Sequence, residues 1–133
     1  CHSVGIYIIM KEYKIFLDDV LIGTTKFEYA DVPMGVVYGK VIFINVENPY
    51  QFVKNFYLKK NADFECDDEV EFIDSMIQDF IKIYDDENKL LIGWGSFLSG
   101  LKDEFEITFS GIDSELMKSE FSHHYYDYYG ETD

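Results

Sequence analysis

A chain of 133 residues with 47% hydrophobic and 18% aromatic side chains carries enough apolar mass for one packed core, and halving it would leave pieces too small to bury cores of their own. Its formal charge of −15 excludes strong attraction to nucleic acid or anionic lipid and favours cationic partners. All 11 basic side chains are lysine, so the arginine forks that commonly grip phosphate are missing, which disfavours a phosphate-handling enzyme.

The charge is uneven. Residues 1–62 hold seven lysines against six acids, a balance of +1, while residues 63–133 hold four lysines against twenty acids, a balance of −16. Such a field steers basic partners, although acidity also serves plain solubility. Cys1 and Cys66 offer neither metal spacing nor a disulfide framework, so a reducing cytosol is the simplest compartment. No stretch reaches the roughly 18 apolar residues of a membrane span. "CHSVGIYII", residues 1–9, reads as leader or added sequence ahead of a natural start at Met10; an acylated Cys1 is the alternative, but it would want a polar tether. A single domain over 1–133 is expected.

From Tyr13, "YKIFLDDVLIGTTKFEY" alternates and breaks at Asp18-Asp19 and Gly23, which predicts two antiparallel strands. Tyr13, Ile15 and Leu17 share one face of the first, and Thr25, Phe27 and Tyr29 one face of the second. In "ADVPMGVVYGKV", Pro33 fixes its own φ and extends Val32, while Gly35 permits a backbone angle closed to other residues, so a stiff turn is predicted. "VVYGKVIFI" then reads as a central buried strand, with Gly39 at a bulge or a close backbone approach. Asn48 as N-cap, Pro49 at the first helical position, and Lys59, Lys60 and Asn61 in the last turn punctuate a helix, whose stripe of Phe52, Val53, Phe56 and Tyr57 belongs in the core.

Residues 63–74, "DFECDDEVEFID", carry seven acids interrupted by apolar side chains, the pattern of an edge strand with a charged outer face. Further on, a strand through "IKIY", a turn over Asp85–Asn88, a strand from Lys89 to Trp94, a loop from Gly95 to Asp103 and a strand from Glu104 to Ser110 are predicted. The last alternates, with Phe105, Ile107 and Phe109 inward. "DSELMKSEFSHHYYDYY" predicts one helix capped by Asp113 or Ser114, with Met117, Phe121, Tyr125 and Tyr128 as its apolar stripe and a frayed tail from Gly130 to Asp133. The sum is an α+β fold on a mainly antiparallel sheet, with one helix after the third strand and a second at the C-terminus.

Catalytic signals are weak. His123 and His124 stand beside Glu120 and Asp127, each imidazole with a carboxylate four residues away on a helix. A metal would need a second cluster to complete its shell, and acid–base work would need a nucleophile in context; the sequence shows neither. The acids of 63–74 lack the spacing and glycine of a calcium loop, and "GWGSFLSG" lacks the elements of a phosphate cradle. Neither a catalytic residue nor a cofactor is assigned. What remains is surface: Asp67, Asp68, Glu69, Glu71, Asp74, Asp85, Asp86, Asp103, Glu104 and Asp127 supply negative charge, and Trp94, Tyr125 and Tyr126 supply amphipathic contact area, so these are the candidate partner-binding residues.

The run "KIFLDDVLIGTTKFEYADVPMGVVYGKV" resembles a group of small bacterial immunity proteins encoded beside polymorphic or contact-dependent growth-inhibition toxins, and "FEITFSGID" and "EFSHHYYDYY" resemble the same group's C-terminal portion. The likeness spans about residues 12–129, with Asp31–Lys40 its most specific motif; Val32-Pro33 stands where the group often has two prolines. The group has no assigned catalytic residues. The resemblance implies a protein that binds a cognate toxin, commonly a basic nuclease, and blocks it stoichiometrically without turnover. With the cysteine usage and the charge, the expectation is a cytoplasmic protein, not an enzyme, with neither nucleic acid nor membrane as partner. An acidic mimic of nucleic acid that inhibits a DNA-binding protein, and a small enzyme centred on His123 and His124, are the alternatives.

Overall fold

The computed structural model describes residues 11–130. The expectations for Cys1, for Met10 as start, for the leader over 1–9, and for the tail beyond Gly130 lie outside them. The fold is α+β, with two antiparallel sheets and three helices. The strands are β1 (Tyr13–Leu17), β2 (Val20–Thr25), β3 (Tyr29–Asp31), β4 (Val36–Lys40), β5 (Ile42–Phe43), β6 (Phe64–Asp67), β7 (Phe72–Ser75), β8 (Ile81–Tyr84), β9 (Gly95–Leu101) and β10 (Glu104–Ser110). Helix α1 (Pro49–Lys59) follows β5, and α2 (Ser114–Glu120) and α3 (Ser122–Tyr129) end the described chain. One sheet has the order β5-β2-β1-β8 and the other β3-β4-β10-β9-β7-β6.

The predicted second strand is interrupted, because the chain changes sheets at Lys26–Glu28. Phe27 takes a left-handed φ of 45°, which costs a bulky residue about 1–2 kcal/mol. Its ring is fully buried within 6 Å of the Tyr13 and Phe121 rings, and burial of that size returns about 2–3 kcal/mol. Packing therefore wins over strand continuation. Thr25 and Phe27 point into the core while Tyr29 is exposed, so the three do not share a strand face.

"VVYGKVIFI" is likewise two strands. Val41 donates its amide to the Phe105 carbonyl, and the chain then leaves β4 to pair Ile42 and Phe43 with β2. The close approach expected at Gly39 is present: a Cβ there would stand 2.9 Å from Phe27 Cα and 2.7 Å from Thr25 Oγ1. Splitting both runs is why α1 follows the fifth strand and not the third. The stiff turn of Val32–Gly35 joins β3 to β4, with Gly35 at φ 67° and its carbonyl accepting from the Ile112 amide.

Helix α1 starts as its punctuation predicts: Asn48 Oδ1 accepts from the Gln51 amide and Pro49 opens the helix. Val53 and Tyr57 are buried, joined by Tyr50, with Phe52 and Phe56 packed against them. The acidic block 63–74 is a hairpin and not one edge strand: β6 is the edge of the six-stranded sheet, while β7 lies inside it, paired with both β6 and β9.

The region 89–101 inverts the expectation. Residues 89–94 form no strand beyond a bridge from Leu90 to Tyr84, whereas Gly95–Leu101, predicted as a loop, pairs along its whole length with β10. Glycine and serine lower its intrinsic β preference, but Gly100 lies opposite Phe105, whose ring occupies the space a side chain at 100 would take. On β10, Phe105, Ile107 and Phe109 point inward as predicted.

The C-terminal segment is two helices and not one. Phe121 breaks them at φ −115°, ψ 46°, with its ring fully buried against Tyr13 and Phe27. Asp113 caps α2 by accepting from the Leu116 amide. Met117 is buried and Tyr125 packs on the core, but Tyr128 is exposed.

Candidate partner-binding site

The acidic residues are gathered by strand pairing. Strand β7 pairs with β9 through Phe72↔Leu101 and Ile73↔Gly100, which sets the β6–β7 turn beside the β9–β10 turn. The Lys102 amide donates to the Glu71 carbonyl at 2.8 Å, joining them. Asp67, Asp68, Glu69, Glu71, Asp103 and Glu104 therefore stand at one end of the six-stranded sheet. Glu47 joins them, since a hollow there is lined by Glu47, Asn48, Pro49, Glu71, Lys102 and Asp103.

Asp68 anchors this end to α1. Its carboxylate accepts from Lys54 Nζ at 2.7 Å and from the hydroxyl of Tyr50. The Lys54 ammonium first, and then that hydroxyl, hold the Asp68 carboxyl below its usual value. Burial, reinforced by Asp68, pushes the Tyr50 phenol up. Asp67 serves the turn by accepting from the Glu69 amide. Among the described residues no ion pair holds Asp67, Glu69, Glu71, Asp103 or Glu104, so their charge faces solvent.

The remaining predicted contacts lie elsewhere. Asp74 is on β7, opposite Glu65 of β6. Asp85 is buried, and its carboxylate accepts from the Glu87 and Lys89 amides at 2.8 Å each, so it builds a turn and presents no contact surface. Asp86, beside it, lies past the end of β8 in the other sheet and contributes to raising the pKa of Lys11. Trp94 is at the opposite end of the β9–β10 hairpin, where its amide donates to the Ser110 carbonyl and its side chain covers Gly111 while staying 82% exposed. Tyr125, Tyr126 and Asp127 are on α3; Tyr125 lines a hollow with Val32, Pro33, Met34 and Met117. The acidic turns are thus one site, and Trp94 and the tyrosines belong to other faces.

The break at Phe121 dissolves the predicted carboxylate–imidazole spacing across it. Glu120 accepts instead from the Tyr13 hydroxyl at 2.7 Å and Lys11 Nζ at 3.1 Å. His124 Nε2 lies 2.7 Å from the Phe27 carbonyl, and since a carbonyl only accepts, that nitrogen carries the hydrogen. The His123 ring packs against His124 at 4.0 Å with the planes tilted by 38°; its Nε2 is enclosed without a hydrogen-bond partner among the described residues. Burial, then the neighbouring imidazole, pushes its pKa down. Lys11, Tyr13, Lys26, Ser119, Glu120, Ser122 and His123 line a small cavity there. His123 and Glu120 reach it, and His124 is turned to the backbone. Among the described residues no cluster of three or more His, Cys, Asp or Glu is placed to hold a metal ion, and no helix is long and apolar enough to cross a membrane.

No family model, curated protein or solved structure matches the chain. Sequence reasoning missed the outward side chains of β9, because that strand read as a loop. The alternation of Ser96, Leu98 and Gly100 with Phe97, Ser99 and Leu101 was the signal that could have found them.

Proposed function

We propose that this protein is a stoichiometric inhibitor of the immunity type, acting in the cytosol, which binds a basic toxin domain, a nuclease by the resemblance, and occludes its active surface. The observation that carries the reading is the collection of carboxylates from the β6–β7 and β9–β10 turns, with Glu47, at one end of the molecule. Charge so placed speeds and orients encounter with a cationic protein. The sign also disfavours phosphate-bearing partners.

The test is co-expression with the open reading frame adjacent to this chain's gene. The reading expects growth arrest to be relieved and the two proteins to co-purify at low salt, with capture weakening at high salt. Arrest that persists in the presence of folded, abundant inhibitor would overturn it.

A further inference from the structure

We infer that the open face of the six-stranded sheet is the docking surface for the cationic partner, and that it selects a protein surface on which apolar side chains alternate with lysine or arginine; this deepens the toxin-binding reading and rests on it. Strand alternation decides which residues line that face. Val37, Ile73, Leu98, Phe105, Ile107 and Phe109 are buried, so their sequence neighbours point away from the core. On the core side stand the second sheet and the helices: Phe43 of β5 meets Phe105, Tyr57 of α1 bonds Ser75, and Phe121 meets Phe27. On the other side, the outward residues of β4, β7, β9 and β10 are all half-buried or exposed, none fully buried.

Register arranges that side in rows. One row runs Tyr29, Tyr38, Thr108, Phe97 across β3, β4, β10 and β9, with the two tyrosine rings stacked at 5.4 Å. Another runs Glu104, Leu101, Phe72, Asp67 across β10, β9, β7 and β6. Between them Glu106 stands opposite Lys40 and Ser99, and Asp74 opposite Glu65. Tyr29, Leu101 and Phe72 remain 54%, 47% and 38% exposed. Six strands at about 4.8 Å spacing make the face about 24 Å wide, and the row of Lys40, Glu106, Asp74 and Glu65 divides its apolar side chains, the mixed apolar and polar make-up of a protein–protein interface.

The charge selects the occupant. Asp31, Glu65, Asp67, Asp74, Glu104 and Glu106 face outward against Lys40. Two copies pressed face to face would oppose like charges, and nucleic acid or an anionic membrane would be repelled. A partner that inserts cations between apolar anchors satisfies both kinds of row, and the same carboxylates run into the acidic turns beyond Glu104 and Asp67.

The experiment uses the full chain, isotope-labelled for NMR, with two peptide probes of equal charge: alternating lysine and leucine, and alternating lysine and glycine. The leucine peptide is expected to bind at least tenfold more tightly and to shift resonances of Tyr38, Phe97, Phe72 and Leu101. The double variant Phe72→Ser, Leu101→Ser, at exposed positions, is expected to erase the tenfold difference while keeping the melting temperature within a few degrees. Equal affinity for the two peptides, shifts confined to the acidic turns, self-association of the chain through this face, or contacts to it from residues 1–10 would each overturn the inference. Peptide discrimination without toxin neutralisation would sink the toxin reading alone. Neutralisation left intact by the double variant would sink the docking surface alone.

Discussion

The amide of Lys102 donates to the carbonyl of Glu71 across 2.8 Å, and through that bond the turns of two hairpins far apart in sequence stand side by side. Both residues are in the left-handed region, at φ 60° and 58°. Tight turning at both positions keeps the strands on either side paired and leaves the carboxylates of each turn directed outward.

Gly100→Ala should destabilise the fold. A Cβ at 100 would lie 2.5 Å from the ring of Phe105, itself buried in the core, and overpacking of that kind costs about 1–3 kcal/mol. A urea unfolding curve should show a lower midpoint with an unchanged slope; a midpoint equal to wild type would show that the ring shifts freely.

Asn48→Ala removes the side-chain acceptor of the Gln51 amide. Loss of an N-cap costs about 1 kcal/mol, and Asn48→Asp, which restores the acceptor, should recover it in the same assay.

Stability should fall on mild acidification through His123. Its native pKa is depressed below the ordinary 6.5, so the neutral ring favours the fold above that value. The contribution is lost as pH falls from there through the native value. The His124 ring opposes protonation and Asp127 favours it. Denaturation midpoints at about pH 7.5 and pH 5 should differ more for wild type than for His123→Phe.

Asp68 acts on a lower limb. Its carboxyl is depressed by Lys54 and Tyr50, so its contribution is present above the ordinary carboxyl value of 3.8 and vanishes as pH falls through the native value. Asp68→Asn should flatten the acid limb of the stability profile there, and Lys54→Met should do so in part.

Local signals made much of the fold legible. Asn48-Pro49 marks the start of α1, the alternation of Phe105, Ile107 and Phe109 marks β10, the Asp31–Gly35 turn stands where its proline and glycine put it, and the first part of the acidic block, β6, lies on an edge. What stayed hidden depends on contacts distant in sequence. Phe27 and Phe121 carry no breaker chemistry, yet each interrupts its element because its ring is worth more in the core than its backbone is in a strand or helix. The weak intrinsic preference of Gly95–Leu101 is overridden by pairing to β10. The acids were visible from charge alone, but their convergence required the β7–β9 pairing, and Asp85 shows that a carboxylate in an acidic run can be consumed by its own turn.

The central claim is tested most directly by the rate at which the chain associates with the proposed toxin partner as ionic strength is varied. Wild type should associate about tenfold or more faster at low than at physiological salt. A chain carrying Glu69→Gln, Glu71→Gln, Asp103→Asn and Glu104→Gln should be slow and nearly salt-independent. Association rates that coincide for the two chains at every salt concentration would contradict the account.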